Sequence, residues 1–259
     1  MNILNELASL ASKRCEEMKS RKSLDELRSE ALSLPERGFE FEKKLRGSDI
    51  SFICEVKKAS PSKGEISTDF PYLEIAREYQ SAGADCISVL TEPFYFKGSN
   101  NYLKEISSTV SVPVIRKDFT VDEYMIYEAA TLGASAVLLI CALLDTDVIK
   151  RYIGICDKLG LSALVEAHNE KEIRSALDAG ARVIGVNNRD LRDFTVDINN
   201  SVKLRGLVPS DIFFVAESGI KTSDDIDLLR NAGVNAVLIG ETLMRSGDKK
   251  NMIRDLRGY

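Results

Sequence analysis

Five stretches of the chain repeat one local grammar: SAGADCISVL (residues 81–90), TLGASAVLLI (131–140), KLGLSALVEA (158–167), DAGARVIGVN (178–187) and NAGVNAVLIG (231–240). Each carries a glycine at its third place, then a short link, then an apolar run. The glycine reads as the left-handed residue just past a helix end, where a Cβ would be costly. The run that follows is short, often β-branched and apolar on both faces, as in a buried parallel strand. Adding similar runs without that glycine gives strands near Ser51–Lys57, Cys86–Leu90, Val114–Lys117, Ala136–Ile140, Ala163–Glu166, Val183–Val186, Phe213–Ala216 and Ala236–Ile239. Helical patterns separate them, among them VDEYMIYEAATLG (121–133) and TSDDIDLLRNAG (222–233). The latter opens on a Thr222 or Ser223 cap followed by acidic residues. Eight strand–helix units fit an α/β fold of closed (β/α)8 barrel type. An open doubly wound sheet would need a glycine-rich dinucleotide loop after the first strand, and none is written there.

Ahead of the first strand, residues 1–50 carry no strand signal. Ile3, Leu4, Leu7, Leu10, Ala11 and Met18 form one helical stripe, and Leu24, Leu27 and Ala31 suggest a second. These helices dock by their apolar faces or cover one mouth of the barrel, and periodicity does not say which mouth. With no linker or low-complexity segment, residues 1–259 read as one domain: a helical extension and a barrel over 51–259.

Composition narrows the function classes. The 259 residues are 44% hydrophobic and 29% charged, as in a globular enzyme. Lys plus Arg is 35 against 40 Asp plus Glu, a net charge of -5, which argues against a nucleic-acid footprint but not against an anionic small molecule. No apolar run reaches membrane-span length and the first residues lack a secretory h-region, so the expected location is cytoplasmic. Cys15, Cys54, Cys86, Cys141 and Cys156 form no CxxC pair and read as small buried hydrophobes. A lone histidine, His168, rules out a His-rich metal site and reads as a loop or cap residue rather than a catalyst.

Barrel chemistry gathers where strands end. Glu55 and Lys57 share one face at the end of the first run, by period two. Lys117 closes the third, Glu166 the fifth and Glu217 the seventh, while the sixth runs into Asn187, Asn188, Arg189 and Asp190. Any one of these charges could simply mark where the chain reaches water. Together, two lysines and three glutamates from odd strands converge on one pocket and suit acid/base work. Ser218-Gly219-Ile220 and Gly240-Glu241-Thr242 occupy the two loops that hold phosphate in many barrels, the glycines letting backbone approach an anion. The first loop, residues 57–71, offers Ser60, Ser62 and Lys63 to an anion, with Gly64 as a hinge. Phe94, Tyr95, Phe96 and Phe119 read either as core, the commoner fate of such a stripe, or as aromatic surface suited to an aromatic carboxylate.

The segments EVKKASPSKG (55–64), RKDF (116–119), LVEAH (164–168), NNRDL (187–191), ESGI (217–220) and IGETLM (239–244) resemble those of the indole-3-glycerol phosphate synthase family, in order and spacing, over nearly the whole chain. The resemblance implies a lyase of tryptophan biosynthesis. It would close the indole ring of 1-(2-carboxyphenylamino)-1-deoxyribulose 5-phosphate with loss of carbon dioxide and water, using neither metal nor organic cofactor. It implies Lys117 as the general acid on the ketone and Glu166 as acid/base partner in loss of the hydroxyl. Lys57 would bind the substrate anion and serve as a second acid, and Glu55, Asn187 and Glu217 would orient the lysines and sugar hydroxyls. Arg189 and Ser218 fall on family site positions. Ser60, Gly219 and Gly240 match anion-binding positions, and Pro61, Phe96, Phe119 and Leu138 match the wall around the aromatic ring. Glu241 stands where some relatives have serine; a contact through its backbone N–H would tolerate that change, a side-chain contact would not. Expected partners are the small phosphorylated substrate and other enzymes of the same pathway, with no nucleic acid and no membrane.

The chemistry asks for such residue types independently. A lysine is a useful acid once neighbours or burial lower its pKa from about 10.4 toward the working range. Two alternatives share the barrel. One is a sister phosphate-binding barrel such as phosphoribosylanthranilate isomerase, which commonly uses a Cys and Asp pair; Cys54 is one residue short of Glu55 and faces away from the site. The other is a non-enzymatic phosphate-binding barrel. Neither would generate indole fluorescence.

Overall fold

The computed structural model describes residues 3–35, 37–66, 69–190 and 193–258. Its frame is a closed barrel of eight parallel strands. In chain order these are β1 (Ser51–Val56), β2 (Cys86–Leu90), β3 (Val114–Lys117), β4 (Ala136–Ile140), β5 (Ser162–Ala167), β6 (Val183–Asn187), β7 (Phe213–Glu217) and β8 (Ala236–Ile239). Each strand pairs with its successor, and β1 closes the ring on β8 through Ser51↔Ala236 to Cys54↔Ile239. The strands match the expected runs to within one residue at each end. Helices α4 (Tyr72–Ser81), α5 (Asn100–Thr109), α6 (Glu123–Thr131), α7 (Thr146–Lys158), α8 (Glu170–Asp178), α9 (Asn199–Arg205) and α10 (Ser223–Asn231) connect them. After β8 come α11 (Glu241–Arg245) and α12 (Lys249–Arg257). All five repeat glycines, Gly83, Gly133, Gly160, Gly180 and Gly233, have positive φ, as the helix-end reading requires. Thr222 caps α10 in a reciprocal box with Asp225.

Alternation along each strand divides the molecule into two layers. Phe52, Cys54, Ile87, Val89, Val137, Leu139, Val165, Ile184 and Val237 point outward and pack against the helices. Ile53, Ile115, Leu138, Leu164, Val183, Val215 and Leu238 fill the barrel interior. The same parity carries Glu55, Lys117, Glu166, Asn187 and Glu217 inward at the upper rim. All five cysteines are free; four are buried and Cys141 is half-buried.

The segment before β1 packs against both ends of the barrel. Helix α1 (Ile3–Arg21) lies across the C-terminal mouth, where Ile3 and Leu7 line the cleft. It is pinned there by Arg14, which donates to both carboxylate oxygens of Asp118 at 2.7 and 3.2 Å, and by Lys19, bonded to Asp122 at 2.7 Å. Helix α2 (Leu24–Ser33), opened by a Ser23–Glu26 capping box, packs Leu27 and Ala31 into the outer layer. A third helix, α3 (Glu40–Lys44), is absent from the sequence reading. It plugs the N-terminal mouth with Phe41 and Leu45, both within 1% of complete burial. Ser162 Oγ accepts from the Glu42 N–H, and Arg182 pairs with the Glu42 carboxylate at 3.0 Å, both at strand starts. With one turn only, α3 has too few residues to show a periodic stripe.

Phe41→Ala should remove the floor plug and cost about 3–5 kcal/mol, the range for truncating a buried aromatic. Denaturant unfolding reads the loss. Because the upper rim is untouched, catalysis by the folded fraction should be unchanged.

Candidate active site

A cleft of about 490 Å³ opens at the C-terminal ends of the strands. Its lining brings together Glu55, Lys57, Ser60, Pro61, Phe96, Lys117, Phe119, Leu138, Glu166, Asn187, Arg189, Glu217, Ser218, Gly219, Gly240 and Glu241, but neither Phe94 nor Tyr95. Leu191, which ends one of the quoted motifs, lies outside the described residues.

Lys117 stands at the centre. Its ammonium donates to Glu166 Oε2 at 2.9 Å and to Glu217 Oε2 at 2.7 Å. Beside it Lys57 pairs with Glu55 Oε1 at 2.7 Å, and Ser88 Oγ donates to the other Glu55 oxygen at 3.3 Å. Glu55, Lys117, Glu166 and Glu217 are all buried. Two glycines make room for this crowding. A Cβ on Gly185 would collide with Glu217 Oε1, and one on Gly240 would collide with Glu55 Oε1 and fall 2.8 Å from Lys57 Nζ. The sequence reading gave Gly240 to anion approach; in the structure its missing side chain also houses the Glu55–Lys57 pair.

The charge balance corrects one expectation. Burial pulls the Lys117 pKa down, but Glu166, Glu217 and Glu55 outweigh it, and the net shift is upward, not toward neutrality. In the free site Lys117 is therefore a held ammonium, charged and ready to donate. The displaced proton affinity appears on a carboxyl instead. Burial, with Glu166 and Glu55 nearby, raises Glu217 to about 7 despite Lys117. Its Oε1 is buried with no hydrogen-bond partner among the described residues. Glu166 shifts the other way: burial raises it, but Lys117, His168 and a hydrogen bond from Asn187 overcome that.

Aromatic and cationic walls flank this cluster. Phe96 and Phe119 approach with ring centroids 6.1 Å apart, and Leu138 lies below them. Phe94 is exposed, and Tyr95 turns away to donate to Glu6 of α1 at 2.6 Å. At the opposite wall Lys63, Arg189, Lys221 and Arg245 join Lys57 around the Ser218–Gly219 and Gly240–Glu241 turns. Ser218 and Gly219 both have positive φ, at 67° and 88°. That turn is braced by Asn188, whose Nδ2 donates to the Ser218 carbonyl at 3.1 Å. Thr242 Oγ1 similarly donates to the Ile220 carbonyl at 2.6 Å. The Glu241 side chain ion-pairs with Arg245 at 3.1 Å and lies 3.8 and 3.9 Å from Lys63 and Arg189. The first loop folds into a small hairpin, Ala59–Ser60 against Gly64–Glu65, with Gly64 at φ 65°.

Sequence reasoning missed several lining residues. Leu90, Ile140 and Leu238 follow from strand parity and could have been read by counting in twos. Phe194 and Val196 arrive through the loop after β6, where Val196 bridges to Arg189; no local pattern marks them.

A barrel that combines buried acid/base groups with an aromatic wall and a cationic rim defines a lyase- or isomerase-type sugar-phosphate enzyme site. The family model for indole-3-glycerol phosphate synthase matches residues 4–256, and the chain belongs to that family. It is 58% identical over 257 residues to an indole-3-glycerol phosphate synthase of Ruminiclostridium cellulolyticum, covering 99% of both chains. It is 56% identical over 256 residues to one of Endomicrobium trichonymphae, covering 98% of this chain and 99% of the relative. Among solved structures, thiamine phosphate pyrophosphorylase from Pyrococcus furiosus aligns with a TM-score of 0.60 at 18% identity, over 84% of this chain and 96% of that one, a likeness of fold alone.

Glu217 links the site to stability. Its folded pKa, about 7, lies above the ordinary 4.5, so its contribution is full below 4.5 and is lost as pH rises through 7. Unfolding measured against pH should show a smaller decline across that window in Glu217→Gln than in the parent protein.

Proposed function

We infer that the chain converts 1-(2-carboxyphenylamino)-1-deoxyribulose 5-phosphate into indole-3-glycerol phosphate, carbon dioxide and water. Family membership over nearly the full chain supports the reaction. The observation that carries the mechanism is a charged, buried Lys117 braced by two glutamates beneath an aromatic wall. The ring carbon bearing the carboxylate attacks the C2′ ketone; a C–C bond forms and the carbonyl electrons move to oxygen. Lys117 gives that oxygen a proton. Its raised affinity in the free site ceases to oppose transfer as negative charge builds on the oxygen. Loss of carbon dioxide returns an electron pair to the ring. The new hydroxyl then leaves as water, taking a proton from Lys57 while Glu166 removes one from the substrate, and the indole is complete.

The remaining residues bind and orient. Lys57, paired with Glu55, faces the substrate carboxylate. Asn187 and Glu217 hold the lysine and the sugar hydroxyls. Ser60, Ser218, Gly219, Gly240 and the backbone of Glu241 form the phosphate seat, with Arg189 beside it. Glu241's carboxylate, ion-paired with Arg245, leaves that role to its N–H. Pro61, Phe96, Phe119 and Leu138 clasp the anthranilate ring. Among the described residues no helix is long and apolar enough to cross a membrane, and we assign the enzyme to the cytoplasm, alongside others of its pathway.

Indole fluorescence appearing as substrate is consumed tests the reaction; its absence would refute it. Lys117→Ala should lower kcat by about 10²–10⁴-fold with a smaller change in KM, the usual loss for a general acid. Lys57→Ala should raise KM more than it lowers kcat. The reverse pattern would exchange the two roles. Phe119→Ala should raise KM while leaving the melting temperature little changed; a large thermal loss at unaltered KM would make the ring a core residue instead.

A further inference from the structure

A second cavity of about 490 Å³ abuts the active-site cleft and is lined by His168, Glu172, Asn188, Arg189, Asp190 and Asp197, among others. His168 is the chain's only histidine. It follows the last residue of β5, in the turn into α8. That turn holds it firmly. Asn169 caps α8, accepting from the Glu172 N–H at 3.1 Å and donating to Glu172 Oε1 at 2.7 Å. Glu172 Oε2 in turn accepts from the His168 backbone N–H at 2.8 Å, which brings it 3.1 Å from ring Nδ1. Asn200 Nδ2 donates to the His168 carbonyl at 3.2 Å.

The other ring nitrogen is the unusual one. Nε2 is buried with no hydrogen-bond partner among the described residues, a rare state for a buried polar atom. It stands 3.5 Å from Glu166 Oε1. Glu166 and Glu217 each give one oxygen to Lys117, at 2.9 and 2.7 Å, and Glu166 also takes a side-chain hydrogen bond from Asn187. They differ at the second oxygen. That of Glu166 faces an imidazole, while that of Glu217 is an orphan.

We propose that His168, held as an imidazolium between Glu172 and Glu166, is a positioning residue that keeps Glu166 ionised and so leaves the proton of the glutamate pair to Glu217. The charges around the ring agree. Glu166 on β5, Glu172 on α8 and Glu217 on β7 face it. From the loop after β6 come Asp190 and Asp197 against the single cation Arg189, and Lys117 lies beyond Glu166. Burial lowers the His168 pKa, but the Glu172 hydrogen bond and the field of Glu166 outweigh it, so the net shift is upward. Two like carboxyls driven apart in proton affinity mark a division of acid and base labour. His168 itself gives up no proton in the cycle. The proposal rests on the ring-closure reading, in which Glu166 acts as an anion.

Because there is one histidine, its imidazole resonances can be titrated by NMR without ambiguity and without turnover. The midpoint should lie above the ordinary 6.5 and fall in both Glu166→Gln and Glu172→Gln. In His168→Gln the acidic limb of the kcat profile should move up by about one pH unit, the effect of losing a cation within ~4–6 Å, at nearly constant KM. Activity on the alkaline plateau should stay close to that of the parent. Glu172→Gln should move the limb in the same direction, which keeps the test available if His168→Gln folds poorly. A midpoint at or below 6.5 that ignores Glu166→Gln would overturn the proposal. So would a kcat loss equal at every pH, the mark of a merely structural histidine. If the parent protein forms no indole while the NMR shifts appear, the ring-closure reading fails and the electrostatic pairing stands.

Discussion

One buried ammonium organises the upper end of this barrel. Lys117 Nζ sits within 2.9 Å of two carboxylates from β5 and β7, with Glu55 adding a third negative charge from β1. Removing such groups from water is expensive unless charges and hydrogen bonds match closely. The surrounding fold is arranged to make them match. Strand parity aims the side chains at one another. Gly185 and Gly240 withhold the Cβ atoms that would collide with the carboxylates. The residue before Lys117, Arg116, points outward into its own buried network with Thr91, Asn100, Asp118 and Glu128. Consecutive residues of one strand thus anchor two charge clusters on opposite faces of the wall, and neither can slide without the other.

The residue after Lys117 extends that constraint to the N-terminal helix. Asp118 accepts from Arg14 of α1 and from Thr91 at the end of β2. Burial disfavours its charge, but Arg116 and Arg14 overcome this and hold its carboxyl below the ordinary range. The helix that contributes Ile3 and Leu7 to the cleft is therefore tied to the strand that contributes the central lysine. Cleft shape and catalytic geometry share one buried carboxylate.

Much of this was legible in the sequence because its signals are local. A glycine with positive φ before an apolar run marks a helix end and a strand start within ten residues, and period two assigns the inward faces. Hence the strands and the rim charges could be read directly. What escaped reading depends on distant partners. Helix α3 is too short for periodicity, and its burial comes from the barrel floor. The direction of the Lys117 shift is set by carboxylates on three other strands, so burial alone suggested the opposite sign. The second use of Gly240, room for Glu55 and Lys57, was hidden because nothing nearby in sequence places those side chains beside it. His168 read as a turn residue, which it is; its closeness to Glu166 follows from the turn's cap, not from spacing alone.

The segment ahead of β1 touches both ends of the barrel, and this has a consequence for the order of assembly. Its ties span long stretches of chain, 104 residues from Arg14 to Asp118 and 140 from Glu42 to Arg182. During synthesis these helices leave the ribosome well before their docking sites exist. Their apolar stripe has no barrel to dock on until the middle strands are made. Segments made well ahead of the elements they dock on are open to wrong partners in the interval. The charged residues interleaved along α1, such as Lys13, Glu16 and Glu17, keep that helix wettable on its other face. The extension that completes the active site is also the part of the chain longest at risk while the molecule is being made.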